Sequence, residues 1–347
     1  MSSKNIFQTT LTKHQNLVNS HLNSIINEAS KTYDSYDENV KDLFAEACNL
    51  VSRGGKRFRA SLLIATYEFF GGENKKAILD FAAGLELAHA ALLIHDDIID
   101  LDEIRRGEKT VHVVYEEKRA KQYGYKVALL AGDLLSHLAM SVILNCDFED
   151  EIKVPALTYI QNRLFDTGIG QFIDIHYSNE KNLTNVPTET IVKLKTTGYT
   201  TLSPIISGAI LARTEKTNLE ILASYATLIG EAFQMQDDLL GFFGDEKTLG
   251  KPVGSDFKEG KLTPLVKVLF SELDKKDMSD FGQANVSREK MVKVTTLAKA
   301  KNIDKQMTSS IAQITGEARE IIKKSNFTKN SQDFYVELAD YMYQRVL

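Results

Sequence analysis

Apolar side chains recur three and four positions apart over most of this chain, the period of a helix with one face turned to a core. Residues 13–30 and 38–52 carry the pattern, and 56–71 carries it as far as Gly71-Gly72, a helix stop. From Ile78 to Asp102 apolar residues occupy almost the whole circumference, which predicts a helix buried on most sides. Further helices are predicted over about 124–145, 151–177, 188–212, 216–241, 261–273, 288–302, 305–324 and 331–346. Alternating strand-length runs with hairpin turns do not recur, and no fixed-period repeat stands out. The polar breaks at Ser178–Pro187, Gly241–Gly260 and Asp274–Ser287 are too short for domain linkers. The expectation is one all-α domain over residues 1–347, a bundle of about a dozen helices around a central apolar cavity.

Composition sharpens this picture. Only 5 of the 347 residues are proline, and all (Pro155, Pro187, Pro204, Pro252, Pro264) follow residue 154, so the first half permits long unbroken helices. A hydrophobic share of 43% suffices for a large core. A net charge of −5 with no dominant basic tract argues against nucleic acid as a partner. Cys48 and Cys146 form neither a disulfide framework nor a zinc quartet, and read as small buried residues. The polar start lacks a signal-peptide core, and no stretch reads as a transmembrane segment of ~20 uncharged apolar residues. A soluble, cytoplasmic protein is expected.

The chemistry-bearing residues form two acidic clusters on apolar helices. In His89–Asp100, Asp96 and Asp100 stand four apart on one helix face, with His89 two turns back, while Asp97 lies about 100° around. Like charges so placed, near the negative end of a helix, destabilise it. A hard divalent cation offsets that, and oxygen ligands suit Mg²⁺. The second cluster places Gln234, Asp237 and Asp238 at i, i+3 and i+4. Two Asp-Asp pairs about 140 residues apart, each in an apolar helix, make a chance origin improbable.

Cationic groups accompany both clusters. Arg105-Arg106-Gly107 follows the first, which suits a phosphorylated ligand bridged by metal. Arg53-Gly54-Gly55-Lys56-Arg57-Phe58-Arg59 is a Gly-Gly turn opening a helix, where backbone N–H groups favour anions. The P-loop spacing is missing there. Lys195-Thr196, Lys251 and Lys261 matter only through convergence with the acidic residues. No Ser-His-Asp or Cys-His arrangement stands out.

Taken together, GGKRFR, DDIID, RRG, QMQDD, and GKPVGSD followed by GKLTPL resemble the trans-polyprenyl diphosphate synthase family, in that family's order, over residues 50 to 265. The resemblance implies a Mg²⁺-dependent prenyltransferase that condenses isopentenyl diphosphate with an allylic diphosphate (dimethylallyl, geranyl or farnesyl). It implies that Asp96, Asp97 and Asp100 face Asp237 and Asp238 across a helical cavity and hold three Mg²⁺ on the allylic diphosphate, with Asp96, Asp100 and Asp237 as metal ligands. Arg105, Lys195, Thr196, Gln234, Lys251 and Lys261 would hold the allylic substrate. Lys56, Arg59, His89 and Arg106 would bind isopentenyl diphosphate. Gly170-Gln171-Phe172-Ile173-Asp174 looks like the family's GQxxD stretch. Gly241 departs from the pattern, since the second motif ordinarily ends in a third Asp. A homodimer is a further implication.

Gly84, Ala88, Ala91 and His95 form a stripe of small residues leading to the acidic end. Close helix packing explains such a stripe, and so does a product tunnel. The family's tunnel position is Ala91, with Ala88 and Leu92 beside it and no aromatic over 82–100. Ala91 and Ala88 lie ~7.5 and ~12 Å below Asp96 along the axis. This implies a product longer than farnesyl, with geranylgeranyl favoured and C25 to C35 open, and a floor supplied by residues 134–143 or 163–172. A class I terpene cyclase shares the first acidic motif but needs no second diphosphate pocket. A His-Asp metal phosphohydrolase would use His89 and His95-Asp96, but leaves the second cluster unexplained. A non-catalytic partner subunit would be expected to lose the acidic motifs.

Overall fold

The computed structural model describes residues 5–32, 35–178, 180, 186–244, 254–283 and 285–344. The chain is all-α apart from one short hairpin, among the described residues. It divides into two compact units. One comprises Met1–Lys4, Gln8–Leu157 and Gly208–Arg213, and the other Asn5–Phe7, Thr158–Ser207 and Thr214–Leu347.

The first unit is built from α1 (Ile6–Thr32), α2 (Glu38–Ser52), α3 (Phe58–Phe69), α4 (Lys75–Asp100), α5 (Val111–Lys118) and α6 (Lys121–Leu144). Side-chain caps set two of the starts: Asp37 accepts from the N–H of Asn39, and Asn74 from that of Ala77. Helix α3 is buried continuously from Ala60 to Tyr67, and α4 from Phe81 to Leu87. The small-residue stripe of α4 meets α6 at both ends. A Cβ at Gly84 would overlap Ile143, and one at Gly132 of α6 would overlap the His95 ring. His95 Nε2 also lies 3.2 Å from the Leu129 carbonyl. These two ends of the stripe are therefore a helix-packing seam.

Two features here escaped the helical periodicity. Helix α5 has no strong apolar stripe of its own. The strands β1 (Ile104–Arg105) and β2 (Glu108–Lys109) pair antiparallel with Arg105 opposite Glu108. Their turn places Arg106 and Gly107 at φ 54° and 82°, the left-handed pair that a two-residue hairpin needs. Arg105 ends the strand and Arg106 opens the left-handed turn, so the hairpin separates the two side chains.

The second unit contains most of α7 (Asp150–Tyr177), then α8 (Thr188–Ile191), a π-helical segment (Val192–Leu202), and the start of α9 (Ser203–Leu211). It continues with α10 (Lys216–Phe243), α11 (Ser255–Glu259), α12 (Pro264–Glu272), α13 (Arg288–Ala300), α14 (Ile303–Lys323) and α15 (Lys329–Gln344). The single helix predicted over 188–212 is thus three pieces. Pro204 has no N–H and crowds the carbonyl four residues back, and Ser203 bonds the Gly198 carbonyl, five back, instead. Glycines admit the wider segment: a Cβ at Gly170 of α7 would strike the backbone at Lys195, and one at Gly230 of α10 would strike Thr197 and Thr201. Elsewhere in this unit Tyr225 donates from its hydroxyl to the Tyr335 carbonyl at 2.6 Å.

Helices α4 and α6 are long and apolar enough, by length and composition, to cross a membrane. In α4 that stretch is 67% buried within the protein, so its apolar residues serve the core.

Candidate active site

In the first unit, the C-terminal end of α4 meets the β1–β2 hairpin and the loop between α2 and α3. Asp97, predicted to point away from Asp96, is buried where Asp96 is half-buried. The Arg105 side chain gathers three carboxylates: its Nε donates to Asp97 Oδ1, and its Nη2 lies 2.9 Å from Asp102 and 3.5 Å from Asp96. Burial pushes the Asp97 carboxyl up to about 7, a rise that Arg105 opposes and Asp102 and Asp96 reinforce. Asp96 and Asp100 are half-buried.

The residues expected to bind isopentenyl diphosphate cluster beside this end. Arg59 Nη1 lies 3.2 Å from His89 Nε2. Burial holds the His89 imidazole well below its ordinary value, and the charges of Arg59, Arg106 and Arg105 add to that. Arg106 donates to the carbonyls of Leu50 and Gly54. Its guanidinium leaves room only for glycine at Gly55, where an added Cβ would sit 3.2 Å from Nη2 at φ 145°. Lys56 is exposed on the same loop. A neutral imidazole among arginines is a site short of negative charge, which a diphosphate supplies.

In the second unit a cavity of about 180 Å³ is lined by Asp174, Lys195, Thr196, Gln234, Asp237, Asp238, Asp256, Lys261 and Thr263, among others. Lys195 Nζ lies 2.6 Å from Asp174 Oδ2. Thr196 donates to Gln234 Oε1 at 2.6 Å, and Gln234 Nε2 donates to Asp238 Oδ1 at 2.8 Å. Lys261 pairs with Glu259 at 2.6 Å. Asp238 is 2% exposed, and its Oδ2 receives no hydrogen bond among the described residues. Burial raises its carboxyl well above the ordinary range, and Asp256 and Asp237 add to this.

An orphaned, buried carboxylate oxygen beside further carboxylates fits a divalent cation. Among the described residues no three carboxylates, histidines or cysteines form a closed metal cage. Mg²⁺ takes one or two carboxylates and completes its shell with water and substrate phosphate.

Each unit therefore collects its own share of the predicted residues: Lys56, Arg59, His89, Asp96, Asp97, Asp100, Arg105 and Arg106 in the first, and Lys195, Thr196, Gln234, Asp237, Asp238 and Lys261 in the second. Lys251 lies outside the described residues. Ala91 is buried, whereas Ala88 and Leu92 are half-buried. His95, turned to α6 and 3.6 Å from Asp133, does not join His89, which removes the geometric basis for a His-Asp phosphohydrolase centre. Asp256 was missed. Its Oδ2 stands 3.8 Å from where a Cβ at Gly241 would be, so it brings a carboxylate to the neighbourhood of the motif's absent third Asp. The available signal was Gly254-Ser255-Asp256 inside a Gly-rich stretch.

Comparison with known proteins covers nearly the whole chain. Residues 41–303 match the family model described as polyprenyl synthetase. A geranylgeranyl diphosphate synthase of Sulfolobus acidocaldarius is 33% identical over 83% of this chain and 86% of its own. A short chain isoprenyl diphosphate synthase of Methanocaldococcus jannaschii is 35% identical over 79% and 80%. Among solved structures, a geranylgeranyl pyrophosphate synthase from Corynebacterium glutamicum, complexed with isoprenyl diphosphate and magnesium, superposes with a TM-score of 0.89. That similarity spans 97% of this chain and 99% of the other at 27% identity.

Proposed function

This chain belongs to the polyprenyl synthetase family, and from that premise we propose that its product is geranylgeranyl diphosphate or a longer trans-polyprenyl diphosphate. It is a Mg²⁺-dependent prenyltransferase that condenses isopentenyl diphosphate with an allylic diphosphate and releases diphosphate. The observation that carries the assignment of residues is the placement, in each unit, of buried carboxylates beside cationic side chains at one end of an apolar helix.

Bound Mg²⁺ supplies neutralisation of the charge that develops on the departing diphosphate. Asp96, Asp100 and Asp237 are the proposed ligands, with three ions per active site; the unpartnered oxygen of Asp238 stands by to fill the metal shell, and Asp97 and Asp256 shape the surrounding charge. Arg105, Lys195, Thr196, Gln234, Lys251 and Lys261 hold the allylic diphosphate. Lys195 and Arg105 are restrained by Asp174 and Asp97, so they are oriented before charge separates. Lys56, Arg59, His89 and Arg106 take isopentenyl diphosphate. The allylic C–O bond breaks, the isopentenyl double bond forms the new C–C bond, and the proton lost goes to released diphosphate. Apolar walls keep water from the allylic cation.

Ala88, Ala91 and Leu92 are the proposed chain-length positions. The two compact units read as parts of one synthase domain, because the family match runs through both. A homodimer is supported by large apolar side chains left at the surface, Leu129 and Leu130 on α6 and Phe165 and Phe172 on α7. The working location proposed is the cytoplasm. The test is chromatography of products made by the purified chain alone from isopentenyl and farnesyl diphosphates with Mg²⁺. The expected product is C20 or longer. A dominant C15 product from dimethylallyl diphosphate refutes the length, and no carbon–carbon bond formation refutes the catalytic reading.

A further inference from the structure

Between Lys56 and Arg59 stands Arg57, whose role the reading above leaves open. It adopts the left-handed conformation (φ 46°, ψ 40°) immediately before α3. A residue with a side chain keeps that conformation only where its surroundings over-determine it. They do so here in three directions. Nε donates to Asn19 Oδ1 on α1 at 2.8 Å, Nη2 donates to the Val51 carbonyl on α2, and Nη1 donates to Glu86 Oε2 on α4 at 3.3 Å. Arg57 and Glu86 are 5% and 3% exposed. The other Glu86 oxygen accepts the N–H of Ala60 in the first turn of α3 at 3.3 Å.

A guanidinium turned inward and neutralised by a buried carboxylate is not placed to take a diphosphate. Lys56 beside it is exposed, and Arg59 two residues on meets His89. Glu86 also lies one turn before His89, which meets Arg59, so one stretch of α4 secures both the loop and its cationic side chain.

We infer that Arg57 and Glu86 are positioning residues, a buried pair that holds the α2–α3 loop so that Lys56 and Arg59 stand ready for isopentenyl diphosphate. This rests on the assignment of those two residues to isopentenyl diphosphate. Removing Arg57 alone strands a buried carboxylate, which is costly, and leaves Glu86 to pull on the neighbouring cations, among them Arg106, which already feels its charge. Removing both charges takes that pull away. The pair is therefore needed chiefly because each member makes the other tolerable, and the ligand-binding loss should be partly reversible.

The test uses the full chain carrying Arg57→Met, Arg57→Lys, Asn19→Ala, or Arg57→Met with Glu86→Gln. Each diphosphate is varied in turn at saturating co-substrate, and isopentenyl diphosphate is titrated calorimetrically without turnover. For Arg57→Met the expected result is a rise of about tenfold or more in isopentenyl KM and Kd, as for a buried charge losing its partner. The allylic KM and the saturated kcat should stay within about threefold, an amount under 1 kcal/mol. Arg57→Lys falls between, and the added Glu86→Gln recovers part of the affinity. A parallel rise in both KM values, or unchanged isopentenyl binding in folded Arg57→Met, overturns the proposal. Should Arg57→Met not fold, Asn19→Ala decides, because its single lost bond predicts a rise of about two- to fivefold and an unchanged Kd overturns the proposal. The two readings fail differently. Wild type that binds isopentenyl diphosphate without making product refutes prenyl transfer, whereas equal binding by wild type and Arg57→Met refutes the positioning role.

Discussion

Asp97 shows how a single residue here trades stability for chemistry. Its carboxyl is held near pH 7 rather than 3.8, chiefly by burial. The folded state therefore keeps a proton that the unfolded chain has already released between those values. Stability from this group is full below 3.8 and is lost as pH rises through 7. The upper bound on that loss at pH 8 is about 4 kcal/mol. Asp97→Asn should make the metal-free protein more stable at pH 8, by up to that amount, and bring no gain at pH 4. Activity should fall by about 100-fold or more, the usual scale for losing a preorganised charge in an active site. Urea unfolding at the two pH values and a prenyl-transfer assay check this together. That the two Asp-Asp pairs stand on long apolar helices was legible from the sequence. Which carboxylate bears the desolvation was not, because Asp96 and Asp97 differ only in the direction they face.

At the scale of elements, the seam between α4 and α6 carries two meanings that the sequence left open. Gly84 and His95 pack against α6, while Ala88 and Leu92 keep part of their surface. Ala91 stands on the packed stripe and at the family's tunnel position. Ala91→Phe is expected to shorten the product, read by chromatography. It should also cost about 1–3 kcal/mol by overpacking, read by thermal melting. A destabilised variant with unchanged product length assigns Ala91 to the seam alone. Periodicity located nearly every long helix, since an apolar face of three or more turns leaves a strong pattern. It missed α5, the hairpin at 104–109 and the five-residue α11, all too short to carry a period. It also read 188–212 as one helix, because the π-helical shift depends on Pro204 and on room made by Gly170 and Gly230 of other helices.

On the scale of the whole molecule, the exposed apolar side chains make a prediction about assembly. Leu129 and Leu130 are each 54% exposed, and Phe165 is 72% exposed. Exposed apolar surfaces of this kind mark contacts with another chain. The wild type should elute as a dimer in size-exclusion chromatography with light scattering. Leu129→Asp with Leu130→Asp should shift it toward the monomer mass, and a wild type that is monomeric at micromolar concentration refutes the homodimer.

What the sequence by itself determined is the class of chemistry and the helical architecture. Both depend on residues close together along the chain: an apolar period, two Asp-rich clusters, a Gly-Gly-Lys turn. Only the tertiary structure decided which neighbours those residues acquire. It set Arg105 on Asp97 and Arg106 on the Gly54 carbonyl, because a left-handed turn sends adjacent arginines apart. It brought Asp256 beside Gly241 and turned Arg57 onto Glu86. Such pairings join positions from 8 to 52 residues apart, and no local pattern encodes them. They follow from where helices and turns bring the backbone, and from the cost of leaving a buried charge without a partner.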